Sequence, residues 1–312
     1  MHVRAGKLSP PTLARYETSV ARLTLAFCGE PDELGDTAPT PVSLVTEKTL
    51  VDFVEARHEE ERSPSTIRND ITACSQVLAY AVGKGWICFN PARILDRRFW
   101  IGSADAEMER IDPPNDKQVA ALIAEVSAWR PDMAMLITWL RETRMRLKEA
   151  LLIEAEDIHP DGRTATLTRG VKRGKARTIM LGRAAALLDG LPKRGRLFAG
   201  LHTDSAVVST RYGQWRRQRQ AREDAAAAVA GRAAEALEKF RLHDERHAYA
   251  IASLIDDPNC IYRLKEQLGH SSDKTTESYV RFLSGKGAQR RHARHRDMFG
   301  SLPLAEALSR AA

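Results

Sequence analysis

The chain has 312 residues, of which 48 are Lys or Arg and 41 are Asp or Glu, so its net charge is +7. Its hydrophobic content of 43% and charged content of 29% are typical of a globular protein, and its length allows two domains. No apolar stretch is long enough to cross a bilayer, and the four cysteines lack the paired spacing of a zinc site or a disulfide framework. We therefore expect a cytoplasmic protein without membrane contact, and the excess of positive charge favours a polyanionic partner.

The first third of the chain has helical patterns and no strand pattern. In chain order it predicts a helix over 12–27, a proline-rich surface loop over 31–43, a helix capped by Thr46, a helix opened by Ser63-Pro64 and ended at Gly85, and a short helix at Asn90-Pro91. We interpret residues 1–97 as a small helical N-terminal domain. Residues 98–113 lose the helical period and contain glycine and proline, which is typical of an interdomain linker.

The second part of the chain is also mainly helical. Asn115 is predicted to cap a helix that continues to about residue 127, and 131–142 is a mostly apolar helix. Strand patterns occur only at 163–168 and 177–181, on either side of a basic turn. The predicted fold class is therefore mainly α with a small antiparallel β-sheet.

A basic segment is followed by an alanine-rich segment over residues 211–239, and together they predict an extended helix. Five arginines lie in its first half: Arg211, Arg216, Arg217, Arg219 and Arg222. Such a row suits contact with a phosphate backbone, and we expect DNA binding there. A solvated helix face is the alternative interpretation.

Two short segments near the C-terminus carry the most informative residues of the chain. One is His243-Asp-Glu-Arg246-His247, and the other is Leu-Gly-His270-Ser-Ser-Asp-Lys-Thr-Thr-Glu-Ser-Tyr279. Arg146 lies about a hundred residues earlier. Two arginines, two histidines and a tyrosine suit metal-free attack on a phosphodiester, because guanidinium groups bind phosphate oxygens in bidentate pairs and a phenolic oxygen can displace a sugar hydroxyl.

These motifs resemble those of the tyrosine recombinase (phage integrase) family, whose catalytic set reads Arg, Lys, His-x-x-Arg, His, Tyr. The resemblance extends over about residues 113–283, and it is specific because several separated motifs occur in the family's order. It implies that Tyr279 is the nucleophile that forms a 3′-phosphotyrosyl bond. It also implies that Arg146 and Arg246 bind the scissile phosphate, and that His243 and His270 bind phosphate oxygens or orient and deprotonate the tyrosine.

The resemblance implies a general-acid lysine in the β-hairpin. Alignment of its second strand puts Lys172 at this position, with Lys175 as the alternative and as a predicted DNA contact. Glu149 matches an acidic family position that supports the active site, although a salt bridge near Lys148 is an ordinary alternative. We interpret His247 as a packing residue.

The resemblance also implies a two-domain C-shaped clamp on double-stranded DNA, acting as a homotetramer on two sites, with no metal ion, ATP or small-molecule cofactor. Residues 1–97 match the family's core-binding domain, in which Arg68 is a predicted phosphate contact or a solvated residue. Residues 114–285 form the catalytic domain, and 286–312 form a basic tail and a helix for protomer contact.

Two residues depart from the family's pattern. Arg144 stands where a glycine is usual, and Glu245 stands where an apolar residue is usual. The implied function is site-specific strand exchange. A type IB topoisomerase-like enzyme and a catalytically silent DNA-binding protein are the alternatives.

Overall fold

The computed structural model describes residues 10–28, 41–102, 114, 116–171, 176–235, 237, 240–269, 276–277, 279–280 and 283. The chain forms two compact units, Met1–Arg110 and Ile111–Ala312. None of the described helices is long and apolar enough to span a membrane.

The first unit is helical throughout its described part. Its α-helices are α1 (Pro10–Cys28), α2 (Glu47–Glu59), α3 (Pro64–Gly83) and α4 (Arg97–Ile101). The predicted caps are confirmed, because the Thr46 hydroxyl accepts a hydrogen bond from the Thr49 N–H and the Ser63 hydroxyl accepts one from the Thr66 N–H. Asn90 accepts from the Ala92 N–H and opens a single 3-10 turn, which is shorter than an α-helix.

A buried polar cluster joins the first three helices around an apolar core. Asp70 on α3 is 1% exposed. It accepts a hydrogen bond of 2.6 Å from the Ser19 hydroxyl on α1 and pairs with Arg57 on α2 at 3.3 Å. Because a buried carboxylate is costly without partners, these contacts specify how the three helices meet.

The short helix α4 corrects the predicted start of the linker. Residues 98–101 were assigned to the linker, but they are helical, and the Asp96 side chain caps them by accepting from two backbone N–H groups at 3.0 Å. Ile101 is 1% exposed and belongs to the core of the first unit. The first unit therefore continues through residue 101, because an apolar side chain at the end of a short helix completes its core.

The second unit is built around a buried helix. Helices α5 (Asp116–Trp129) and α6 (Pro131–Thr143) pack against each other, and α7 (Leu147–Leu152) follows after a tight turn. Trp139 on α6 is fully buried, and its indole N–H donates to the Met145 sulfur at 3.2 Å. The core thus extends up to the turn that precedes Arg146.

A two-stranded sheet and three more helices complete the described part of this unit. Strands β1 (Thr164–Leu167) and β2 (Arg177–Met180) are antiparallel, with Leu167 opposite Arg177. Helix α8 (Ser205–Val229) is long, and α9 (Asp244–Asp256) and α10 (Ile261–Leu268) follow. The predicted fold class, mainly α with a small antiparallel sheet, is confirmed.

Candidate active site

The position of Arg146 at the start of α7 is determined by Glu149, one helical turn later. The Glu149 carboxylate accepts hydrogen bonds from the Arg146 backbone N–H at 2.8 Å and from its guanidinium at 2.9 Å. The Glu149 side chain is fully buried, whereas the Arg146 side chain is 23% exposed. A buried carboxylate interacts strongly with a nearby cation, so it holds this guanidinium while leaving part of it accessible.

Glu149 also binds a second arginine. Arg177, the first residue of β2, donates to the Glu149 carboxylate at 2.8 Å. Burial lowers the pKa of Arg177, and Glu149 opposes that shift. Glu149 is therefore not an ordinary exposed salt bridge near Lys148, because one buried carboxylate is shared by two guanidinium groups.

Three arginines converge on the backbone carbonyls at the end of α10. Arg146 donates to the Gly269 carbonyl at 2.7 Å, and Arg177 donates to the Leu268 carbonyl at 3.4 Å. Arg246 also donates to the Leu268 carbonyl. The last carbonyls of a helix lack intrahelical partners and carry partial negative charge. They therefore hold cations that would otherwise repel one another.

Gly269 permits this convergence. Its φ is +61°, in the left-handed region that favours glycine. A Cβ at this position would lie 2.9 Å from the Arg177 Cζ and would collide with its guanidinium nitrogen. Glycine therefore both ends α10 and makes room for Arg177.

Arg246 lies on the first turn of α9 and is only 3% exposed. Its guanidinium donates to the Arg144 carbonyl at 2.5 Å, in addition to its bond to Leu268. Burial, followed by the neighbouring charge of Arg146, lowers the pKa of Arg246 to about 9. The residue still carries its positive charge at neutral pH.

Tyr279 lies against the same helix. Its hydroxyl is 2.7 Å from Nδ1 of His247, and the two ring centroids are 5.6 Å apart. Tyr279 is 3% exposed, and burial raises its pKa to about 12 against the lowering effect of Arg246. The interpretation of His247 as a packing residue is incomplete, because its ring packs against His243 and Tyr279 but its Nδ1 also contacts the hydroxyl of the predicted nucleophile.

His243 precedes α9 and lies beside His247. Their ring centroids are 4.9 Å apart in an edge-to-face arrangement. Desolvation, with a further contribution from Arg246, lowers the pKa of His243. Residues four apart share a helix face, which explains why both imidazoles are on one side of α9.

Both histidines line a cleft of about 790 Å³ together with Arg146. The other cationic residues of its wall are Lys148, Arg216, Arg217 and Arg241. Among the described residues that line it there is no carboxylate. Such a surface suits an anionic ligand with several phosphate groups.

The arginines of α8 face in different directions. Arg216 and Arg217 line the cleft, and Arg216 donates to the Phe240 carbonyl at 2.7 Å. Arg219 instead forms a two-pronged ion pair with Glu125 on α5 and lines a separate groove with Trp129. Arg211 is exposed. The predicted row of phosphate contacts is thus divided between two surfaces.

Arg68 is engaged within the first unit. It is partly buried on α3, and its guanidinium donates to the Gly102 carbonyl just after α4. This contact ties α3 to the end of the unit, a role that neither sequence interpretation anticipated.

Three predicted site residues lie outside the described residues. These are Lys172, Lys175 and His270. The predicted tail, 286–312, lies outside them as well.

Comparisons with known proteins identify the family of the chain. The model of the phage integrase family matches residues 115–284. The chain belongs to the phage integrase family. The matched range contains every predicted catalytic residue of the chain. A search of the curated proteins finds no match by sequence.

Solved integrase structures share its fold. The Tn1549 transposon integrase, in complex with transposon right end DNA, matches with a TM-score of 0.66 at 16% identity, over 93% of this chain and 95% of that one. A lambda integrase dimer bound to a COC′ core site matches with a TM-score of 0.62 at 14% identity, over 88% and 89%. The XerH site-specific recombinase, in a post-cleavage complex with difH, matches with a TM-score of 0.57 at 16% identity, over 92% of this chain and 80% of that one.

The two departures of this chain from the family's motif face one small cavity. Arg144 and Glu245 both line a space of about 30 Å³, together with Arg141, Arg183 and Tyr249. Glu245 accepts from Arg141 at 3.1 Å, and the Arg144 guanidinium lies 3.7 Å from the centroid of the Tyr249 ring. The two unusual charges are therefore accommodated in the same place.

Sequence reasoning missed Arg177 and His247 as site residues. His247 had a usable signal, because its spacing of four from His243 places both imidazoles on one helix face. The sequence indicated Arg177 as a site residue only weakly, because its position at the start of a strand beside a basic turn is not distinctive. Its contact with Glu149 depends on how the hairpin packs against α7.

Proposed function

We propose that this protein is a site-specific DNA recombinase that cleaves and rejoins DNA through a 3′-phosphotyrosyl intermediate. In this mechanism Tyr279 is the nucleophile, and Arg146 and Arg246 stabilise the charge that develops on the scissile phosphate. The phosphotyrosyl link conserves the energy of the broken bond, so rejoining to a new 5′-hydroxyl requires no ATP.

One observation carries the proposal. Arg146 and Arg246 lie a hundred residues apart in the sequence and bind adjacent carbonyls at the end of α10. The Tyr279 hydroxyl contacts His247, the residue directly after Arg246. Arg146 and His247 line a cleft without carboxylates among its described lining. Two guanidinium groups and a phenol held close to such a cleft support nucleophilic attack on a phosphodiester.

The remaining assignments are part of the same proposal. Lys172 protonates the leaving 5′ oxygen, with Lys175 as the alternative, and His270 binds a phosphate oxygen. Glu149 orients Arg146. The first unit, through residue 101, and the catalytic domain, 114–285, each contact double-stranded DNA in the cytoplasm. Two DNA sites are joined by a homotetramer to which the tail, 286–312, contributes.

The nucleophile is tested by trapping the covalent intermediate. A binding site is first selected from randomised duplex DNA with the wild-type protein, and a nicked duplex carrying that site is then used as a suicide substrate. We expect the wild type to form a protein–DNA adduct on a denaturing gel, and Tyr279→Phe to form none while binding DNA as before. Tyr262→Phe, which changes a tyrosine that is 75% exposed, is the matched control and retains the adduct.

The same experiment separates the alternatives. A wild-type protein that selects a site but forms no adduct is a silent DNA-binding protein. One that forms the adduct but does not exchange strands between two duplexes is a topoisomerase-like enzyme. An adduct that persists in Tyr279→Phe transfers the nucleophilic role to another residue.

A further inference from the structure

The contact between His247 and Tyr279 has a chemical consequence. Nδ1 of His247 lies 2.7 Å from the phenolic oxygen, within hydrogen-bond distance. An imidazole nitrogen at this distance either accepts the phenolic proton or donates to the phenolic oxygen, according to the charge of the ring.

The surroundings of His247 favour the neutral ring. Burial, and next the neighbouring His243, lower the pKa of His247 to about 4. Among the described residues, the other charged or titratable groups that act on this ring are Asp244, Arg241, Arg246 and Tyr279. Asp244 opposes the downward shift but is engaged by Arg241, whose backbone N–H donates to it at 2.6 Å. With its proton on Nε2, the neutral ring accepts a hydrogen bond from Tyr279 through Nδ1.

Tyr279 requires such a base. Burial raises its pKa to about 12, so at pH 7 only roughly one phenol in 10⁵ is ionised without help. A phenolate attacks phosphorus far more readily than a phenol does. A group that removes the proton as the bond to phosphorus forms would overcome this barrier.

We propose that His247 is the general base that accepts the phenolic proton of Tyr279 during DNA cleavage. The inference rests on the function proposed above. As the bond between the Tyr279 oxygen and phosphorus forms, the proton moves to Nδ1 of His247. The bond between phosphorus and the 5′ oxygen breaks, and the leaving oxygen takes a proton from the general acid. In rejoining, the 5′-hydroxyl attacks phosphorus and gives its proton to the conjugate base of the general acid, while the bond between phosphorus and the Tyr279 oxygen breaks and the His247 imidazolium returns its proton to the tyrosine.

This role differs from those that the family resemblance implies. The resemblance connects tyrosine activation with His243 and His270, whereas the contact described here comes from the position directly after the His-x-x-Arg motif. The ring of His243 instead packs against the edge of His247. His243 therefore affects the basicity of His247 and is itself placed to meet a ligand in the cleft.

The test measures single-turnover adduct formation between pH 6 and pH 9 on the nicked substrate. His247→Asn retains a hydrogen-bond acceptor near the Nδ1 position but cannot take up a proton. At pH 7 we expect this variant to be slower than the wild type by about 10²–10⁴-fold, the usual contribution of a general base. Its logarithmic rate should rise with pH with a slope of about 1, because the tyrosine then loses its proton to hydroxide. The wild-type slope should be clearly smaller.

A second variant and a control exclude a merely structural effect. We expect added imidazole to restore adduct formation by His247→Ala saturably and to leave the wild-type rate unchanged. His159→Asn, a change at an exposed histidine of the same domain, should match the wild type. Thermal unfolding and DNA affinity of each variant show whether folding or binding has changed.

The outcomes separate this inference from the proposed function. A rate for His247→Asn within threefold of the wild type, or a pH profile parallel to it, overturns the role of His247 alone. Absence of rescue in a folded, DNA-binding His247→Ala variant also overturns it. If the wild type forms no adduct at all, the proposed function fails, and this inference fails with it.

Discussion

Arg144 combines a strained backbone with a favourable side-chain contact. It ends α6 with φ 59° and ψ 20°, in the left-handed region that a glycine would occupy without strain. The left-handed conformation costs an L-residue about 1–2 kcal/mol. A cation over an aromatic ring, as Arg144 lies over Tyr249, returns about 0.5–2 kcal/mol. The two effects nearly cancel.

We therefore expect Arg144→Gly to change the free energy of unfolding by less than about 1 kcal/mol, since strain and stacking are lost together. Arg144→Ala keeps the strain and loses the stacking, so it should destabilise the protein by about 1–2 kcal/mol. Urea denaturation of the three proteins measures both changes. A large gain in stability for Arg144→Gly would mean that the stacking contributes nothing, and a loss of adduct formation would make Arg144 a phosphate contact.

Glu245 makes the stability of the protein depend on pH. It is buried on α9, and burial raises its pKa to about 7 in spite of the opposing charge of Arg141. A carboxyl group whose pKa is raised by folding stabilises the folded state at low pH. That contribution is fully present below the ordinary carboxyl pKa and is lost as the pH rises through about 7.

We expect Glu245→Gln to gain stability relative to the wild type as the pH rises from 4.5 to 8, by roughly 2–4 kcal/mol across this range. The amide cannot ionise, and its oxygen can still accept a hydrogen bond from Arg141. Urea denaturation of both proteins at several pH values gives the difference in their free energies of unfolding directly. His243 and His247 are present in both proteins, so their contribution to the pH dependence cancels from this difference. A difference that does not vary with pH would contradict the raised pKa.

At the scale of elements, the end of α10 organises the site. This one helix terminus accepts hydrogen bonds from arginines on α9 and β2 and from Arg146 before α7. The arrangement depends on Gly269, because a side chain there would displace Arg177 from its position beside Glu149. A change in this turn should therefore affect catalysis.

Gly269→Ala should slow adduct formation at least tenfold, because the displaced Arg177 disturbs the carboxylate that orients Arg146. The matched control is Gly182→Ala. Gly182 also has a positive φ, of 53°, but a Cβ there would meet nothing within 4 Å. Both variants bear similar backbone strain, so thermal unfolding should shift for both, whereas only Gly269→Ala should lose activity. Equal activity in the two variants would show that the turn at Gly269 does not contribute to catalysis.

Strands β1 and β2 pair with Leu167 opposite Arg177, and the segment of sequence between them contains Lys172 and Lys175. We expect a substrate with sulfur in place of the leaving 5′ oxygen to restore cleavage by Lys172→Ala, because a thiolate leaves without protonation. The same substrate should not rescue Arg246→Ala, whose defect is in charge stabilisation. Rescue of Lys175→Ala instead would assign the general acid to that residue.

At the scale of the whole molecule, the described arginines of α8 are divided between the cleft of the second unit and a separate groove. Arg217 is exposed and lines the cleft, whereas Arg219 is held by Glu125 in another groove. The net charge of +7 therefore understates the local positive field that a phosphate backbone would meet.

Binding to duplex DNA should weaken strongly with salt, with a log–log slope steeper than about −3, because each neutralised phosphate releases counterions. Arg217→Ala should make the slope shallower by about 0.9. Arg219→Ala should leave it unchanged, since its guanidinium is paired with Glu125. Equal effects of the two variants would mean that the Arg219 ion pair opens on DNA binding.

The sequence by itself determined several helix starts, the two strands and the family. Thr46, Ser63 and Asn90 mark helix starts because a short polar side chain accepts a hydrogen bond from a backbone N–H two or three residues later. The catalytic motifs were recognisable because each is a short segment and their order along the chain is distinctive. Helix caps and short motifs depend on residues that are close in sequence, so they can be predicted without knowledge of tertiary packing.

Tertiary structure alone decided which charges meet. Arg146 and the carbonyl of Gly269 are 123 residues apart, and His247 and Tyr279 are 32 apart. Many arginines compete for few buried carboxylates, so the sequence did not single out Arg177 as the partner of Glu149. The start of the linker was also placed too early, because only packing makes Ile101 part of a core. Long-range contacts of this kind depend on burial, which raises or lowers each group's pKa only after the elements have come together.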